Sequence, residues 1–183
     1  MGIFDQFRAL FSSEPEELSD RPGSMGQERR SKERVDAREG TRVLIIDDSK
    51  TVVMAIKKFL RSAGYETFEA LDAETGLGMI HEHSPELIFL DIMLPGMNGF
   101  SALRMIRRDP LTRDIPVIMM SGNEQAMEQF YGSRIAADDF MKKPFSRDEL
   151  FFRISNLLDN NCVPHRVKVA SDAAPVHSTA SFA

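Results

Sequence analysis

Val43-Leu44-Ile45-Ile46 runs directly into Asp47-Asp48-Ser49. A short apolar run that stops at two carboxylates reads as a strand buried on both faces, as in a parallel sheet. The acids then fall at the strand's carboxyl end, the edge where open α/β sheets bind their ligands. Neighbouring carboxylates repel, and a cation between them relieves the repulsion; two hard oxygen ligands at a crevice suit Mg2+. One such strand cannot bury both faces alone. The chain must supply parallel neighbours, helices to cover them, and more polar groups at the same edge.

It does so between Thr41 and Asn160. Apolar or alternating runs at 42–46, 65–70, 87–91, 116–120 and 139–141 predict strands. Helical spacing predicts helices at 49–62, 72–83, 100–108, 124–131 and 146–158. In the first of these helices Val52, Val53, Ile56, Phe59 and Leu60 make one stripe, Asp48 or Ser49 can cap the start, and Gly64 ends it. Strands alternating with helices imply a five-stranded parallel sheet with right-handed crossovers and both faces covered.

Outside that stretch the composition changes. Ile3, Phe4, Phe7, Leu10 and Phe11 share one helical face, so residues 1–12 read as an amphipathic helix. So short a helix needs a surface. Its own domain, a partner's groove and a membrane surface all remain open. Residues 13–40 are rich in Ser, Glu, Pro, Gly and Arg and read as a flexible tether. Residues 161–183 read as a polar, disordered tail, too short to be an output domain.

The remaining bounds are simple. A chain of 183 residues, 42% apolar, suffices for one domain with tails. A net charge of -5 argues against a general nucleic-acid binder. A lone cysteine, Cys162, fits a reducing cytoplasm. No apolar run approaches the roughly 20 residues of a membrane span.

Four strand ends now carry the chemistry, with five residues between them. The first gives Asp47 and Asp48, the third Asp91, the fourth Ser121, the fifth Lys143. Each has a bland explanation as a cap, a turn former or a surface charge. Their convergence on one edge is harder to dismiss, because a parallel sheet brings all these ends together.

Taken in order, Ile-Asp-Asp-Ser, Leu-Asp-Ile-Met-Leu-Pro-Gly-Met-Asn-Gly, Met-Ser-Gly and Asp-Asp-Phe-Met-Lys-Lys-Pro-Phe resemble the receiver domain of two-component response regulators over residues 41–160. The resemblance implies a flavodoxin-like sheet of order 2-1-3-4-5. It implies Asp91 as phosphoacceptor, and Mg2+ held by Asp47, Asp48, Asp91 and the Met93 carbonyl. Lys143 would pair with the carboxylate and then the phosphate, ahead of a cis Pro144. Ser121 and Phe140 would form the switch. It implies a histidine kinase or phosphotransfer protein as donor. The implied downstream target docks on the face of the fourth helix, fifth strand and fifth helix. Within receivers the strings are similar to single-domain regulators of type IV pilus twitching motility and chemotaxis. The N-terminal helix would then recruit the protein to a pole or an inner-membrane complex.

Two departures stand out. Ile135-Ala136-Ala137-Asp138 replaces the usual Gly-Ala before the paired acids, and Phe140 replaces the commoner tyrosine. Two rivals are a phosphorylation-independent scaffold and a Mg2+-dependent aspartyl-phosphate phosphohydrolase. The lysine-proline block and the lack of a cap domain weigh against the second.

Overall fold

The computed structural model describes residues 36–132 and 137–166. The amphipathic residues 1–12, the tether up to residue 35 and the tail beyond 166 lie outside the described residues, as do Ile135 and Ala136.

Five strands alternate with five helices: β1 (Arg42–Ile46), α1 (Lys50–Arg61), β2 (Glu66–Ala70), α2 (Ala73–His83), β3 (Leu87–Asp91), α3 (Gly99–Arg108), β4 (Val117–Ser121), α4 (Glu124–Gly132), β5 (Asp139–Lys142) and α5 (Arg147–Ser155). The strands form one parallel sheet of order β2-β1-β3-β4-β5. This is the flavodoxin-like order.

The three central strands have almost no exposed surface, which explains why they read as unbroken apolar runs. Successive side chains still alternate between faces. Leu44, Ile46, Ile88, Leu90 and Met119 meet α2, α3 and α4 through Ile80, Leu103, Ile106 and Ala126. Val43, Ile45, Phe89, Ile118 and Met120 meet α1 and α5 through Val53, Ile56, Leu60, Phe151 and Ile154. Edge strand β2 is exposed at Glu66 and Glu69 and buried at Thr67 and Ala70.

Four helices start on side-chain caps, α4 among them, where Asn123 Oδ1 accepts from the Gln125 amide at 2.8 Å. Asp72 accepts from the Thr75 amide at 2.7 Å, Asn98 from Ser101 at 2.9 Å and Ser146 from Glu149 at 3.1 Å. The expected cap of α1 differs. Ser49 occupies the cap position without a side-chain cap bond. Its amide instead donates to Asp47 Oδ1 at 3.0 Å, so the loop is organised around the acid.

The ordered chain also runs past the expected domain end. Beyond α5, Leu157 is buried and Leu158 bridges antiparallel to Pro164. Asp159 closes the turn by accepting from the Asn161 and Val163 amides at 2.8 and 2.9 Å. These bonds hold its carboxyl below the usual range, that from Val163 contributing most. The resulting hook, residues 156–166, lies partly in the stretch that composition assigns to the tail. Its Cys162 carbonyl accepts from the Arg38 amide at 3.0 Å, so the segments flanking the sheet meet each other.

Candidate functional site: an acidic pocket at the strand ends

Asp47, Asp48, Asp91, Ser121 and Lys143 come from the carboxyl ends of β1, β3, β4 and β5. The pocket acids are unequal. Asp47 has no exposed surface and Asp91 is 4% exposed, while Asp48 is open to solvent. One carboxylate oxygen from each lies within 4.8 Å of the other two.

Lys143 Nζ sits 2.9 Å from Asp91 Oδ2 and 2.5 Å from Asp47 Oδ2. Only the Asp91 contact has hydrogen-bond geometry. Asp47 Oδ2 is thus a buried oxygen in ionic contact but without a hydrogen-bond donor. Burial pushes the Asp47 carboxyl above its ordinary range and Asp91 pushes the same way, while Lys143 opposes both. Buried carboxylates are costly unless cations neutralise them, and the single ammonium of Lys143 serves both Asp47 and Asp91. With Asp91 and Asp48 beside Asp47, the donor set is all hard oxygen, which fits Mg2+.

The supporting backbone is close-packed. The Met93 amide donates to Asp91 Oδ1 at 3.2 Å, and the Met93 side chain is exposed. Gly99, the first residue of α3, lies directly on the end of β3: a Cβ there would stand 2.1 Å from the Asp91 carbonyl oxygen. The sequence marks this glycine only as part of a loop.

Ser121 is buried, and its Oγ accepts from the Asn123 amide at 3.1 Å. Its carbonyl accepts from the Lys143 amide at 2.9 Å, coupling β4 to the lysine. The Lys143–Pro144 peptide is cis. Phe140 is 3% exposed and its ring centroid lies 5.1 Å from that of Phe130 on α4. The aromatic therefore already points inward. Lys142 pairs with Glu124 at 3.3 Å on the exposed rim between β5 and α4.

An acid triad, a hydroxyl and a lysine at the carboxyl edge of this sheet are the arrangement that the sequence resemblance to receiver domains implies. The family model for the response regulator receiver domain matches residues 43–155, and the chain belongs to that family. Among curated relatives it is 39% identical over 119 residues to the phosphate regulon transcriptional regulatory protein PhoB of Pseudomonas aeruginosa, covering 65% of this chain and 52% of that one. It is 32% identical to protein PilH of the same species, covering 64% of this chain and 97% of PilH. The match spans about half or less of PhoB and of the response regulator PleD of Caulobacter vibrioides, where it covers 26%. A solved response regulator from Chloroflexus aurantiacus superposes with a TM-score of 0.60 at 32% identity, covering 64% of this chain and 97% of that one.

Of the five polar residues expected from sequence, Asp47, Asp48, Asp91 and Lys143 come together, and Ser121 adjoins them through its backbone bond to Lys143. Sequence reading missed the network around Asp138, a buried acid that it treats only as one of a pair. Two acids in tandem before an apolar strand were the available signal, but nothing in the string names their partners.

Proposed function

We propose that this chain is a phosphorylation-dependent signalling switch that takes a phosphoryl group from a histidine kinase or phosphotransfer protein onto Asp91. The observation carrying this reading is the contact of Lys143 Nζ with both Asp91 and Asp47, beside three converging carboxylates.

In this reading an Asp91 oxygen attacks the donor's phosphorus, the donor's bond to phosphorus breaks, and a mixed anhydride forms on the carboxylate. Asp47, Asp48, Asp91 and the Met93 carbonyl would hold Mg2+, which when bound neutralises phosphoryl oxygens. Lys143 leaves its bond to Asp91 and pairs with the new anion. Ser121 gives up the Asn123 amide and donates its hydroxyl to a phosphoryl oxygen. Movement of Ser121 shifts the loop into α4, against which Phe140 packs. The face of α4, β5 and α5 would then change its affinity for a downstream protein.

Acetyl phosphate with Mg2+, read by intact mass, tests the chemistry. Wild type should gain one phosphoryl group and Asp91→Asn none. Gain by both, or by neither, rejects the assignment.

The pathway arm of the proposal, twitching motility or chemotaxis-like control from the cytoplasm, draws support from the sequence strings and from the match across nearly all of PilH. Recruitment through Ile3, Phe4, Phe7, Leu10 and Phe11 belongs to the same arm. Deleting residues 1–12 should leave phosphorylation intact and abolish localisation.

One observation favours a second reading, the phosphorylation-independent scaffold. Phe140 is packed inward as a core residue, 3% exposed. Phenylalanine has no hydroxyl to keep wet, so burial carries no polar penalty. If Asp91→Asn leaves partner capture unchanged, the scaffold reading replaces the switch.

A further inference from the structure

Arg166 lies in the hook, eleven residues beyond the stretch matched by the family model. Arg166 Nε lies 3.0 Å from Asp138 Oδ1, and its Nη1 donates to the Arg113 carbonyl at 3.2 Å. The Asp138 side chain has no exposed surface. Its Oδ2 accepts from Arg107 Nη2 at 2.7 Å and from the Val117 amide at 2.8 Å. Its own amide donates to the Val117 carbonyl at 3.0 Å. One buried carboxylate therefore joins α3, the start of β4, the start of β5 and the hook.

The stoichiometry is uneven: two guanidiniums serve one carboxylate. Burial pushes Arg107 down to about 10, Asp138 opposes this, and Arg166 adds to it by repulsion. Replacing Arg166 thus leaves Asp138 with a partner, but releases the hook from β5.

What β5 does makes this matter. It is a four-residue edge strand bonded only to β4, so its register is held from one side. Its start is gripped by Asp138 on the hook side. On the other side Asp139 Oδ1 accepts from Arg153 Nη1 of α5 at 3.1 Å. Its far end delivers Lys143 to the acidic pocket.

Resting on the receiver reading, we propose that Arg166 is a positioning residue for Lys143: through Asp138 the hook fixes β5 in the register that holds the ammonium between Asp47 and Asp91. Freed of Arg166, β5 gains play against β4, and Lys143 spends less time on the two carboxylates. Two consequences of opposite sign follow. The ammonium and Mg2+ draw on the same two carboxylates, Asp47 and Asp91, so Mg2+ binds the unphosphorylated protein more tightly. Lys143 also pairs with the incoming phosphoryl anion, so phosphorylation slows. General loosening of the fold weakens both together.

The test uses the full chain as wild type, Arg166→Ala and Arg166→Lys. Mg2+ affinity is read by calorimetric titration, and labelling by acetyl phosphate at saturating Mg2+ by intact mass, with Asp91→Asn as control. Arg166→Ala should bind Mg2+ roughly threefold more tightly and label roughly threefold more slowly, the size expected of a partly exposed ion pair. Arg166→Lys, which keeps the charge, should fall between it and wild type. Both quantities unchanged, or both weakened, in either variant overturns the proposal. Should Arg166→Ala fail to fold, Arg166→Lys alone must show the split. If wild type itself takes no phosphoryl group, the receiver reading fails, and the Mg2+ titration still decides whether Arg166 positions Lys143.

Discussion

At the scale of single residues, the pocket combines one costly group with one tight contact. Asp47 was legible because an apolar run stopped at it, and its burial follows from the strand being central. Gly99 was not, since a string cannot show that α3 begins against the Asp91 carbonyl. Gly99→Ala should cost about 1–3 kcal/mol, the usual range for forcing an extra carbon into a packed site. Urea unfolding measures it, and an unchanged midpoint would show that α3 can shift aside freely. Phe140 was expected to be the moving aromatic, and its inward packing against Phe130 makes it a core residue as well. Phe140→Ala should therefore lower stability by about 3 kcal/mol. A loss well under 1 kcal/mol would mean that the ring spends most of its time outside.

Among the elements, the five strands and five helices were readable because each is set by its own periodicity. The hook was not. Residues 159–163 are Asp-Asn-Asn-Cys-Val, polar and small, and composition alone assigns them to a tail. Their order comes from one side chain closing a turn on two amides and from a distant ion pair. That dependence predicts an acid response. The Asp159 carboxyl titrates lower in the folded hook than in an unfolded chain, chiefly through the Val163 amide. Its contribution is therefore fully present above the ordinary carboxylate range and is lost as pH falls through the lowered value. Hydrogen exchange at the Val163 amide should accelerate, relative to the intrinsic rate, as the solution is taken from neutral to pH 3. In Asp159→Ala exchange should be fast at both ends and lose this dependence. Equal protection of wild type at both pH values would show that the carboxylate does not hold the turn.

For the molecule as a whole, the sheet divides its labour between its two edges. The carboxyl edge carries the pocket, where buried acids detract from stability. At the base, the start of β5 and the flanking segments are clamped by ion pairs and backbone bonds. Ala37 is buried and its amide donates to the Tyr65 hydroxyl at 3.0 Å, while Arg38 pairs with Glu86. On the other flank Leu157 is 1% exposed and Arg166 reaches Asp138. The family-matched stretch, 43–155, contains none of these flanking groups. A protein cut to residues 43–155 gives up a fully buried leucine, worth about 1.5–3 kcal/mol. It also removes the Arg166 guanidinium from Asp138 Oδ1, at roughly a further 1–3 kcal/mol. The cut protein should thus be less stable than one spanning 36–166 by roughly 2.5–6 kcal/mol, a large share of what a domain this size possesses. Paired urea titrations decide the matter. Coincident midpoints would mean that the flanking segments merely rest on the base and that the sheet and its five helices are sufficient.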